Sequence, residues 1–130
     1  MLSRVNEIRV IRPAAEASGR QQLGYFVGVS GETCGSSGIA MHLVVVPPGG
    51  AAEPHLHDGY ETAIYQLEGS VETRYGADLE HRVVTSAGDF LYIPPGLPHQ
   101  AVNLSETEPA VAIIARNDAD EQERVVPYAP

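Results

Sequence analysis

The chain has 130 residues, with 13 Gly, 10 Pro and a 43% hydrophobic fraction. That length leaves room for one domain and one core. So many residues that end or weaken helices exclude a helical bundle or coiled coil. Eight Lys/Arg against 17 Asp/Glu give a net charge of −9. Such a chain repels phosphate backbones and anionic headgroups, so neither nucleic acid nor a membrane surface is expected as a partner. A small molecule or another protein fits better.

Along the chain, Asn6 to Ile11 reads as a short strand that could act as an edge, and Pro13 to Gln22 as a polar loop. Leu23 to Val29 alternates with period two, and a Gly/Ser-rich loop follows from Ser30 to Gly38. It carries Cys34, the single cysteine, which cannot form an internal disulfide and reads as an ordinary thiol. Ile39 to Val46 is a β-branched strand stopped by Pro47-Pro48-Gly49-Gly50. Further strands are expected over Thr62–Leu67, Val71–Tyr75, His81–Thr85, Asp89–Ile93, Gln100–Leu104 and Ala110–Arg116, with turns at Gly69 and Gly76. Residues 117–130 read as a charged C-terminal tail, mobile or packed on an edge. About nine short strands with no amphipathic helix predict an all-β sandwich or barrel. With no apolar leader or membrane-length apolar run in this sequence, a cytoplasmic location is expected.

Three of the five histidines stand where metal ligands would be useful. His55 and His57 leave one face of an extended segment, about 6.6 Å apart at roughly 3.3 Å per residue. Glu61 follows across the Asp58-Gly59 turn, which would fold its carboxylate back toward the pair. His99 comes after the rigid run Pro94-Pro95-Gly96-Leu97-Pro98. His42, within an apolar strand, and Tyr65, which shares the parity of Glu61, are possible pocket residues. The blander readings are a satisfied histidine and a structural aromatic. His81, in a turn beside Glu80, reads as solvent-exposed.

These residues carry a family resemblance. Gly49, five residues, His55-x-His57, Glu61 and Gly69 resembles the first cupin motif. Gly88, five residues, Pro94-x-Gly96, two residues, His99, three residues and Asn103 is similar to the second at every position. The 18 residues between Gly69 and Gly88 fit the connecting hairpin of small single-domain cupins. The resemblance implies an antiparallel jelly-roll β-barrel (a double-stranded β-helix) over residues 1–116. It also implies one divalent metal held by His55, His57, Glu61 and His99. One departure stands out: the family places six residues between the Glu and the Gly, whereas seven follow Glu61. Side chains alternate in a strand, so Glu61 faces the metal only if it precedes the regular strand or sits at a bulge.

A nitrogen/oxygen site without thiolate suits Fe, Mn, Ni or Zn, and open positions would permit Lewis-acid activation of a substrate oxygen or O₂ binding. The favoured reading is a metal-dependent enzyme acting on a small organic molecule by dioxygenase, isomerase, cyclase or decarboxylase chemistry. The alternative is a non-catalytic ligand-binding or sensor cupin, and fold does not choose between them. Small cupins also resemble one another in pairing, so a homodimer is expected.

Overall fold

The computed structural model describes residues 6–13, 17–18 and 24–130. The chain forms two antiparallel sheets whose inner faces enclose the core. In chain order the strands are β1 (Ala17–Ser18), β2 (Gly24–Val29), β3 (Ala40–Val46), β4 (His55–His57), β5 (Thr62–Glu68), β6 (Ser70–Tyr75), β7 (His81–Ser86), β8 (Phe90–Ile93), β9 (His99–Asn103), β10 (Ala110–Arg116) and β11 (Val125–Pro127). One sheet runs β1-β2-β3-β10-β5-β8 and the other β11-β4-β9-β6-β7. From β3 onward each strand passes to the other sheet from the one before it, β6 to β7 excepted, which is the jelly-roll arrangement expected from the sequence.

Alternation decides which side chains enter the core. In β3, Ala40, His42, Val44 and Val46 are buried while Met41 is exposed. Tyr25, Val44, Val46, Ala52, Val71, Ala110 and Ile114 form the apolar cluster between the sheets. The tight β5–β6 turn depends on Gly69. Its φ is +77°, and a Cβ there would stand 3.0 Å from both Cα of Ala110 and the carbonyl of Pro109. Asn103 ties loops at the same end, its Nδ2 donating to the carbonyls of Val46, Pro47 and Glu108.

Three local expectations change. Asn6–Ile11 is not a strand: the segment is irregular, and Ile8 and Val10 are exposed. Apolar residues alone do not make a strand where no neighbouring edge accepts the backbone bonds. The Pro13–Gln22 loop, so far as it is described, contains the two-residue β1, paired with β2. The Ser30–Gly38 loop contains a one-turn helix, α1 (Gly31–Cys34). Ser30 and Thr33 cap its start reciprocally and Gly35, at φ +76°, ends it.

Residues 117–127 fold back against the barrel. A 3₁₀ turn over Glu121–Arg124 leads into β11, which pairs with β4 through Val125↔His57 and Pro127↔His55. Glu121 is buried there. The edge-packed alternative for this segment is therefore the one observed. Among the described residues no helix is long and apolar enough to cross a membrane.

Candidate metal centre

Strand β4 is short because Pro54 precedes it and Asp58-Gly59 turns the chain after it. It buries His55 and His57 on one face and leaves Leu56 between them half-buried. Strand β9 brings His99 directly opposite His55. The Pro94–Pro98 turn is anchored by the amide of Gly96, which donates to the carbonyl of His57 at 2.8 Å. The three rings form a triangle with centroid separations of 4.9 Å (His55–His57), 4.4 Å (His55–His99) and 4.7 Å (His57–His99). One ring nitrogen from each lies within 4.8 Å of the others.

Two of the rings have a defined tautomer. His55 Nδ1 is 2.7 Å from the carbonyl of Glu53, and His99 Nδ1 is 2.8 Å from the carbonyl of Leu97. A carbonyl only accepts, so each Nδ1 carries the proton and each Nε2 keeps its lone pair. A hydrogen bond from the other ring nitrogen is how metal-ligating histidines are usually oriented. His57 Nδ1 lies 3.1 Å from the hydroxyl of Thr62, and its ring stacks on Tyr60 at 5.0 Å. His57 Nε2 is buried with no partner among the described residues.

Burial holds all three histidines in the neutral, ligating form. It pushes His55 down to about 3 and His99 down to about 4, and it lowers His57 as well. The Arg116 guanidinium adds to the depression at each. That cation opposes a metal, but Glu121 Oε2 accepts from Arg116 Nη1 at 2.9 Å and offsets its charge. The residues therefore fit one divalent ion held by three imidazoles.

Glu61 is not among them. Its carboxylate is exposed and accepts from the Tyr92 hydroxyl at 2.8 Å, while its amide donates to Asn117 Oδ1. The cause is register. In β5 the inward parity belongs to Thr62, Ile64 and Gln66, so Glu61, just before the strand, falls on the outer side. Tyr65 shares that side and packs on Phe90 at 4.7 Å, away from the cavity. His42 is buried but does not line the cavity either. Its Nδ1 accepts from the amide of Gly28, and its Nε2 lies 2.9 Å from Glu121 Oε1. His81 is exposed, as expected.

Sequence reasoning passed over Thr62, Arg116 and Glu121. Thr62 has six residues between it and Gly69, the spacing the family gives its carboxylate, so counting back from the glycine would have found it. Its hydroxyl meets His57 Nδ1 and accepts from Arg116 Nε at 3.3 Å. Arg116 Nη1 also donates to the Tyr25 hydroxyl at 3.2 Å. No local pattern marks Arg116 or Glu121, because their pairing depends on the fold-back of 117–127.

The cavity beside the histidines is about 70 Å³, with largely aliphatic walls that include Val44, Val46, Ile64 and Ile114. Arg116 reaches the same space.

A two-sheet antiparallel barrel with three histidines converging inside it defines a β-barrel protein of the double-stranded β-helix class. Residues 42–115 match the cupin domain model, and the chain belongs to the cupin family. It is 35% identical over 86 residues to a germin-like protein, subfamily T member 3, of Arabidopsis thaliana, covering 62% of this chain and 37% of that one. It is 31% identical over 97 residues to germin-like protein 3-1 of Oryza sativa subsp. japonica, covering 72% and 43%. The chain thus spans less than half the length of these relatives. Among solved structures, a cupin 2 conserved barrel domain protein of Salinispora arenicola shares 26% identity with a TM-score of 0.68, covering 92% of this chain and 95% of that one. The polyketide cyclase RemF of Streptomyces resistomycificus shares the fold at 22% identity and a TM-score of 0.68, covering 100% and 87%. So does an oxalate decarboxylase of Lactobacillus farciminis at 17% and 0.73, covering 87% and 33%.

Proposed function

We propose that this cupin binds one divalent transition-metal ion through His55, His57 and His99 and acts as a metal-dependent enzyme on a small organic molecule. The observation that carries the reading is His57 Nε2, a polar atom in a residue only 1% exposed, without a partner among the described residues and beside two other imidazoles. Leaving such a group unsatisfied costs about 1–3 kcal/mol, which a metal bond would relieve. Three nitrogen donors are compatible with Fe, Mn, Ni or Zn. When bound, such an ion supplies Lewis-acid activation of a substrate oxygen.

The protein's own groups prepare the site. The carbonyls of Glu53 and Leu97 hold two imidazoles with Nε2 available. Tyr60 covers one face of His57. The largely aliphatic walls lower the local dielectric and so strengthen the electrostatic contacts inside.

Elemental analysis of protein purified without added metal tests the reading. About one ion per chain is expected in the wild type, and little after His55→Ala combined with His57→Ala. Unaltered metal content in the double variant would refute the assignment.

A further inference from the structure

We propose that the centre is built to receive a small organic anion, a carboxylate, with Arg116 as the residue that selects the negative charge. This rests on the metal reading above and names the substrate class for the same site.

The donor set is electrically neutral. The three imidazoles ligate as neutral groups, and Thr62, whose hydroxyl meets His57, adds no charge. Glu53, Asp58 and Glu61, the acidic residues nearest the triad in sequence, are all exposed, and the carboxylate of Glu61 is on Tyr92. A divalent ion here would keep its full charge within aliphatic walls, where uncompensated charge is strongly disfavoured. An anionic ligand at an open position removes that cost, and a neutral ligand of the same shape does not.

Arg116 supplies the second observation. It is 5% exposed, and it lines the cavity that His55, His57 and His99 also line. Its Nε and Nη1 are committed to Thr62, Tyr25 and Glu121. Its Nη2 makes no hydrogen bond among the described residues, so the two N–H groups of that nitrogen, part of a planar fork, remain for a ligand. Glu121 offsets the charge of Arg116, which lets the guanidinium stay beside a cation. It does not line the cavity and leaves those donors free. A charge-assisted N–H to carboxylate bond is roughly twice as strong as a neutral one. The size also agrees: by the same kind of measure one water needs roughly 10–15 Å³, so a cavity of about 70 Å³ accepts a molecule of several heavy atoms.

The test uses Co(II)-loaded full-length protein titrated with acetate and with acetamide, isosteric probes that differ in charge. The cobalt absorption bands and the stability of the protein against a chelator are both recorded. Wild type is expected to bind acetate at least tenfold more tightly than acetamide. Two variants test Arg116. The first combines Arg116→Met with Glu121→Gln, so that no buried charge is left unpaired. The second is Arg116→Lys, which keeps the charge facing Glu121 but loses the fork. In each, the acetate-to-acetamide preference should fall at least threefold, the remainder being the contribution of the ion itself. A wild-type preference below tenfold overturns the anion class whether or not a variant folds. A preference unchanged in either folded variant overturns the role of Arg116. Wild type that shows no cobalt bands and loses its metal to the weakest chelator removes the metal reading itself, a result distinct from both.

Discussion

Thr62 and Glu61 are adjacent, yet they differ entirely in what they can do. Thr62 is 1% exposed and touches His57 and Arg116; Glu61 lies in solvent on Tyr92. Glu61→Gln should therefore leave metal affinity within about twofold of wild type in a chelator competition, and a loss of tenfold or more would return Glu61 to the ligand set. Thr62→Val should weaken affinity by roughly the 10- to 100-fold typical of disturbing a group that orients a ligand, with the ion count per chain unchanged at saturating metal. Unaltered affinity would mean that Thr62 does not orient His57. The histidine triad was legible in the sequence, because His55-x-His57 and the Pro-rich turn before His99 impose the geometry locally. Glu61 has the residue type that the chemistry calls for, but its carboxylate lies outside the cavity on Tyr92. Its distance from Gly69 already carried the contrary register, and Thr62 fitted that distance.

At the scale of elements, the central strands follow directly from alternation and turn residues, and β3, β5 and β10 lie within a residue of their expected bounds. What the sequence hid is the segment after Arg116. Its composition is that of a solvated tail, and only the fold supplies the partners that make burial of Glu121 favourable: Arg116 and Gln122 on one carboxylate oxygen, His42 at 2.9 Å from the other, and Tyr60 donating to its carbonyl. Glu121→Ala strips the charge partner from a buried arginine. It should cost about 3–5 kcal/mol in urea unfolding, whereas the paired Arg116→Met and Glu121→Gln change should cost markedly less. Equal losses would mean that the pair is not coupled. The segment also bears on the centre, because β11 covers the free edge of β4, the strand that carries two of the three histidines.

Across the whole molecule, the three histidines of the triad link folding to pH and to metal. Their folded pKa values lie below the ordinary 6.5, at about 3 for His55, about 4 for His99 and also depressed for His57. An unfolded chain therefore takes up protons that the folded chain refuses. The stabilisation is complete above 6.5 and is lost as pH falls from there toward 3–4. Each histidine held neutral contributes a slope of about 1.4 kcal/mol per pH unit in that window. Three together approach about 4 kcal/mol per unit, a large share of the roughly 5–15 kcal/mol available to a domain. Metal-free protein should accordingly show urea midpoints that drop steeply between pH 6.5 and 5, and midpoints that stay level would contradict the burial of neutral imidazoles. Metal acts on the same groups in the opposite sense, because an ion that binds only the folded state stabilises it by about 2.7 kcal/mol at 100 times its Kd. For a chain of this size that corresponds to a rise in Tm of about 10 °C. At pH 7 the rise should appear in wild type and vanish in His57→Ala. An equal rise in both proteins would place the bound metal somewhere other than this cavity.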